Sequence, residues 1–292
     1  MHNALSLITP PTAEPISVAA ARAHSRVTLD VEDSIIAGYI ASARDQVESI
    51  TRRALMPSTF TFGIQQWPGR NYDTGLRNFS TFAQFNRWNY FQIPKPPLIG
   101  ITTFVYTDTN GNTFPMTQSY NSAAGNYLLD LLSVPARVTL PFSGIWPTTI
   151  LSPSLPIQLT FQAGYKQYAG VATVASTGIV TWVSGTLFDA SLVNTWIDIG
   201  PNSYIVTSFT DATHITVGPV SQVVVVPGPG AAFSANLVPM AIRHAILLLV
   251  CHFYDNRQVV IVGRGVTSAE IDYTVDALLA PHRVWMEDTE SW

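Results

Sequence analysis

The stretch PMAIRHAILLLVCHFYDNR, residues 239–257, is the most apolar in the chain, and its reading decides between a membrane anchor and a packed core helix. Its uninterrupted apolar run, Ala245 to Cys251, is seven residues long, with Arg243 and His244 before it and His252 after it. A spanning helix needs about 20 apolar residues. The membrane reading therefore fails. Pro239 suits the first turn of a helix, and the two central turns are apolar all round, so this helix is expected to be covered on most sides. Ile246, Leu248, Leu249 and Phe253 are its predicted packing residues.

Two other segments supply candidate covers. VEDSIIAGYIASARDQVESITRR, residues 31–53, carries Ile36, Ile40, Ala43, Val47 and Ile50 at spacings of four and three, which places them on one stripe of a helix. Asp30, Glu32 and Asp33 lie at its start and Arg52 and Arg53 at its end, as the helix dipole prefers. A shorter helix, ISVAAARAHSRV, precedes it. A final helix opens with the capping box Thr267-x-x-Glu270, carries Ile271, Val275 and Leu278 on one face, and stops at Pro281.

Between the helical ends the pattern turns to strands. TFTFGI alternates like a half-buried strand, and ITTFVYTDTNGNTFPM predicts a hairpin turning at Asn110-Gly111. RNYDTGLRNFSTFAQFNRWNYF, residues 70–91, is a long loop rich in aromatics, Asn and Arg. Loops of that length are usually functional or disordered. It either tucks onto its own domain or meets a partner through Arg70, Tyr72, Arg77, Phe82, Phe85, Arg87, Trp88 and Tyr90. From Lys166 to Arg243 no Lys or Arg intervenes, and GIVTWVSG, TWIDIG, SYIVTSF, THITVG and SQVVVV predict five short strands. They point to a small β-sandwich or roll inserted in the main domain, with VPGPGAAFSAN, residues 226–236, as its exit linker.

The 292 residues leave room for two or three compact units. Only 12% are charged, about half the usual share, and a weakly charged polar surface suits a subunit buried against partners. The net charge of −4 argues against a general nucleic-acid binder. Of the cations thirteen are Arg and two Lys, and Arg is favoured in planar interface contacts. The single cysteine, Cys251, excludes an internal disulfide framework and a Cys-based zinc cluster. The first fifteen residues carry no signal-peptide pattern.

Catalytic motifs are tempting in one place only. VVIVGRGVTSAEI, residues 259–271, has Gly263 and Gly265 but Ser268 where a dinucleotide site needs its third Gly, and no βαβ unit follows. None of the six His has zinc-ligand spacing, and Cys251 lies in an apolar run that disfavours a thiolate. No enzyme, metal site or cofactor is expected.

Taken in order, several segments resemble the head–tail connector (adaptor, or head-completion) proteins of tailed bacteriophages, prophages and gene transfer agents. They are ISVAAARAHSRVTLDVEDSIIAGYIASARDQVESITRRAL, then WPGR with IPKPPLIGITTFVYTDTNG, then LTFQAGY, VPMAIRHAILLLVCHFYDNR and VDALLAPHRVW. These are packing patterns, and their order makes the resemblance. It covers about residues 16–67, 92–165 and 237–286; the loop at 70–91 and the β-region at 169–236 depart from the family.

The expected fold is α+β: a helical bundle formed by N- and C-terminal helices and a central β-rich region, as the resemblance implies, with an inserted small all-β domain that is read from the strand pattern alone. The expected layout is helices in 1–57, β-rich region 58–168, inserted β-domain 169–236, C-terminal helices 237–281 and docking tail 282–292. The resemblance further implies a virion protein, made in the bacterial host's cytoplasm, that forms a dodecameric ring on the portal vertex and continues the DNA channel without sequence-specific binding. Its implied partners are the portal protein and a tail or neck/stopper protein; the β-region at 169–236, on which the resemblance says nothing, is a candidate contact for capsid or fibres. The tail would dock on the portal through Arg283, Val284, Trp285, Met286 and Trp292, residue types that anchor interfaces. A receptor- or glycan-binding tail or baseplate subunit is the alternative.

Overall fold

The computed structural model describes residues 3–28, 30–68, 90–123, 125–219, 223–257 and 269–284. In chain order the elements begin with β1 (Asn3–Thr9), α1 (Val18–Ser25), α2 (Asp33–Thr51), β2 (Ser58–Ile64), β3 (Tyr90–Gln92) and β4 (Leu98–Thr107). β5 (Thr113–Pro115), β6 (Thr117–Gln118), β7 (Asn126–Asp130), β8 (Arg137–Thr139) and β9 (Ile157–Ala163) follow. The last are β10 (Gln167–Val174), β11 (Ile179–Gly185), β12 (Trp196–Ile199), β13 (Asn202–Asp211), β14 (His214–Gly218), β15 (Val226–Asn236), α3 (Met240–Asp255) and α4 (Ala269–Leu279). The chain is thus α+β. Its internal contacts divide it into one unit of Met1–Thr12, Glu48–Gly164 and His282–Trp292, and a second of Ala13–Val47 and Tyr165–Pro281.

The first unit holds two sheets, ordered β1-β2-β9-β4-β5 and β3-β8-β7-β6. In β9 the residues Ile157, Leu159, Phe161 and Ala163 are buried while Gln158 and Gln162 face out, the period of two that a half-covered strand shows. Both sheets contribute to one aromatic-rich core, where Phe104 of β4 meets Tyr127 of β7 edge-on at 5.1 Å. The predicted hairpin is present: Thr107 pairs with Thr113, and Gly111 takes φ +83° in the turn. The Asp108 carboxylate accepts the backbone N–H of Asn110 and of Asn112 at 2.8 and 2.9 Å, so the turn is tied from within. β1 was not expected from the sequence; it is an edge strand antiparallel to β2. At the end of α2, Arg52 turns into the left-handed region at φ +57°, and the Leu55 N–H then donates to Glu48 at 2.8 Å.

The second unit contains a closed barrel of six strands, β10-β11-β14-β13-β12-β15. Ile197, Ile199, Ile215 and Val217 are buried in its interior, and the alternate residues Trp196 and Asp198 lie on the less buried side. Closure is what differs from the expected sandwich or roll, and the element that achieves it is the segment expected to be a linker. β15, VPGPGAAFSAN, pairs with β10 and, through Ala235 and Phe233, with β12. Its Pro-Gly half escapes the usual penalty for proline in a sheet because the ladder to β10 is irregular there and no β12 partner lies opposite. β10 and β11 approach so closely that a Cβ on Gly170 would lie 2.0 Å from the Ser184 carbonyl oxygen.

Helices α1, α3 and α4 belong to the second unit, together with residues 33–47 of α2. Ser17 caps α1 by accepting the Ala20 N–H at 3.2 Å. α2 buries Ile36, Ile40, Ala43 and Val47, the stripe its spacing predicts. On α3 the buried apolar residues are Ile242, Ala245, Ile246, Leu249 and Val250. They recur at three and four and make one face. Leu247, Leu248 and Cys251 are only half-buried, so among the described residues the all-round cover expected of this helix is incomplete.

Candidate functional site

Where a protein carries no evident chemistry, the informative features are large apolar side chains held out in water. Two loops of the first unit do this. The turn between β7 and β8 exposes Leu131, Leu132 and Val134, with Leu132 97% exposed. It is no slack loop: the Asp130 carboxylate accepts the N–H of Leu132 at 2.9 Å, that of Ser133 at 3.3 Å, and the Ser133 hydroxyl. These bonds, the Ser133 hydroxyl first among them, hold the Asp130 carboxyl below its usual range, so it is ionised at neutral pH. The polar side chain is spent on the backbone, and the apolar ones are left facing solvent.

The second loop, residues 140–150, follows β8. Trp146 is buried and stacks on Trp67 with ring centres 4.8 Å apart, which anchors the loop to the aromatic core. Beside it the Gly144 N–H donates to the Pro141 carbonyl at 2.8 Å, and the resulting bend presents Phe142, 93% exposed, and Ile145. Tyr120 is also exposed in this unit. Rigidly held apolar tips of this kind fit the anchor-and-rim anatomy of protein interfaces.

In the second unit the last turn of α3 is clamped to the residue just before α2. The Tyr254 hydroxyl donates to the Glu32 carboxylate, and the Arg257 guanidinium reaches its other oxygen at 3.0 Å while lying 4.3 Å over the Tyr254 ring. The Tyr254 hydrogen bond, then that of Arg257, keeps the Glu32 carboxyl below its usual range. The polar end HFYDNR therefore both meets water and fastens the helix.

The predicted packing residues Ile36, Ile40, Val47, Ile246 and Leu249 are buried, whereas Leu248 and Phe253 are half-buried. Phe253 faces Tyr39 of α2 at 6.2 Å. Of the docking tail, Val284 is buried and its N–H donates to the Thr51 carbonyl at 3.1 Å; Trp285, Met286 and Trp292 lie outside the described residues. Of the partner loop only Tyr90 is described, with the Arg137 guanidinium 4.6 Å over its ring. Arg70, Tyr72, Arg77, Phe82, Phe85, Arg87 and Trp88 lie outside the described residues, as do Gly263, Gly265 and Thr267. The sequence reading missed Leu131, Leu132, Val134, Phe142 and Ile145. A signal was present in DLLSVP, where an apolar run sits between an Asx-turn residue and a proline.

Among the described residues no three His, Cys, Asp or Glu side chains are grouped to hold a metal ion. Burial first, then the neighbouring Asp255, raises the Cys251 thiol, which disfavours a nucleophilic thiolate. No described helix is long and apolar enough to cross a membrane.

No family model matches the chain, and no curated protein matches it. Among solved structures it is similar to a chain in the virion of a native gene transfer agent particle, with a TM-score of 0.52, 16% identity and 98% of each chain covered. It is also similar to a chain in the neck of an empty gene transfer agent particle computed with C6 symmetry, with a TM-score of 0.53, 15% identity and 98% of each chain covered. At these identities the likeness is one of fold, and it runs over nearly the full length of both chains.

Proposed function

We propose that this chain is a structural subunit of the neck of a tailed phage or phage-like particle, an adaptor that forms a ring on the portal vertex and joins the DNA-filled head to the tail. The observation that carries the reading is the fold shared end to end with a chain from the neck of a gene transfer agent particle. The anchored apolar tips around Leu132 and Phe142, and the half-open side of α3 at Leu247 and Leu248, supply surfaces for neighbouring subunits and for the portal. An acidic chain with only two Lys suits a channel that must release DNA phosphates as they pass. In this reading the Trp285–Trp292 tail docks on the portal, the loop at 70–91 meets a partner in the neck, and the barrel faces capsid or fibres.

The test is electron microscopy of the purified protein, alone and mixed with portal. A ring, expected to be twelve-fold, seated on the portal is the predicted image; a chain that stays monomeric and does not sediment with portal overturns the proposal. In the same assay the double variant Leu132→Asp with Phe142→Asp is expected to melt like the wild type and to lose ring formation or portal binding at least tenfold. Equal assembly by that variant removes the two loops from the interface.

A further inference from the structure

We propose that Asn110, in the turn between β4 and β5, is a site of spontaneous deamidation, and that Asp108 sets the rate by restraining the attacking backbone nitrogen of Gly111. Asn110-Gly111 is the chain's single Asn-Gly pair. Both residues are exposed, and a Cβ on Gly111 would meet no atom within 4 Å beyond its chain neighbours, so no side chain screens the junction. The Asn110 carboxamide makes no hydrogen bond among the described residues, which leaves its carbon open to attack. In the reaction the Gly111 nitrogen bonds to the Asn110 side-chain carbonyl carbon and the bond from that carbon to Nδ2 breaks. The Gly111 proton passes through water to the leaving nitrogen, which departs as ammonia. The cyclic imide then adds water, opening to aspartate or, at its main-chain carbonyl, to isoaspartate. Water is the only co-reactant.

The turn opposes the first of these steps. The Gly111 N–H donates to the Asp108 carbonyl at 3.1 Å. The Asp108 carboxylate holds the N–H groups of Asn110 and Asn112, and also accepts the Asn112 side-chain amide at 3.0 Å. Gly111 must leave its bond, and the Asn110 backbone must rotate, before nitrogen and carbon can meet. Each tie that breaks on the way adds to the barrier. The carboxylate also disfavours the negative charge that develops on the Gly111 nitrogen as its proton leaves. It is ionised when it does so, because its hydrogen bonds, that from the Asn112 side chain first, keep the carboxyl below its usual range. Conversion would set a second carboxylate beside Asp108. Isoaspartate would further lengthen the backbone by a methylene and loosen the adjoining Thr107–Thr113 pair, and with it Phe114, which stacks on Tyr106 at 5.2 Å.

The test follows the full chain in mildly alkaline buffer by peptide mass spectrometry, with enzymatic methylation of isoaspartate as a second readout. Asn110 is expected to convert ahead of every other Asn, including Asn121 and Asn202, whose next residue is Ser. Asp108→Ala should raise the Asn110 rate about fivefold, which corresponds to the net worth of roughly one hydrogen bond. Asp108→Asn keeps an acceptor for the turn and removes the charge, and it too should react faster than the wild type. Unfolding the wild type in urea frees the same bonds without any substitution and should accelerate Asn110 at least as much. Earlier conversion of another Asn overturns the proposal. So does an Asn110 rate that is unchanged in urea, or unchanged in an Asp108 variant that melts like the wild type.

Discussion

Asp189 illustrates how single polar residues order the connections of the barrel. It stands before the 3-10 turn Ala190–Leu192, accepts the Ser191 N–H at 2.9 Å, and also receives the Ser191 hydroxyl and the Lys166 ammonium. The Tyr168 hydroxyl, rooted in the barrel interior, meets the Ser191 hydroxyl at 2.9 Å. Burial opposes the charge on Asp189, but the hydrogen bonds outweigh it and hold the carboxyl far below its usual range. With the folded value below the unfolded one, its contribution to stability is complete above about pH 4 and is lost as pH falls below that. Asp189→Ala is expected to cost about 1 kcal/mol at pH 7. The gap in Tm between variant and wild type should narrow between pH 4 and 2, and a gap that stays constant over that range would contradict the assignment.

At the scale of the element, α3 behaves as an ordinary amphipathic helix despite its composition. Leu249 sits on the buried stripe, so Leu249→Ala is expected to destabilise by about 2–5 kcal/mol. Leu248, half-buried one position away, should cost clearly less on the same change, and urea midpoints of the two variants measure the difference. Equal losses would mean that the helix is covered all round. The stripe of α2 and the Asn110-Gly111 hairpin were legible because their signals are local: side chains three, four or two residues apart decide them. β15 was not legible. Its Pro and Gly residues signal a linker, and only strands distant along the chain, β10 and β12, give the segment a ladder. The turn at Leu131–Val134 was overlooked for a related reason. An apolar run suggests burial, and here Asp130 spends its carboxylate on the turn and turns the leucines outward.

For the whole chain, the residues after α4 return to the first unit. The Arg53 guanidinium donates to the His282 carbonyl at 2.7 Å, and Val284 is buried beside the end of α2. Ending the chain after Val284 is therefore expected to leave Tm within about 1 °C of the wild type, since only residues beyond this anchor are removed. Ending it after Pro281 should lower Tm by several degrees, because a buried side chain, the Val284–Thr51 backbone hydrogen bond and the Arg53 side-chain bond to His282 go with it. If portal binding is lost in both, the docking function belongs to Trp285–Trp292; if it survives in both, the tail is not the docking element.

The sequence by itself determined the helices near both ends, the hairpin, the exclusion of a spanning helix and the strand-rich middle, all of which are read from patterns confined to short stretches of chain. Tertiary structure alone decided that six strands close into a barrel, that one side of α3 stays half-open, and that Arg243 lines a cavity. The physical reason is distance along the chain. Glu14, Asp198 and Arg243 are brought to one cavity by strand pairings and helix packing although tens to hundreds of positions separate them, and no local pattern records which residues such closure will gather.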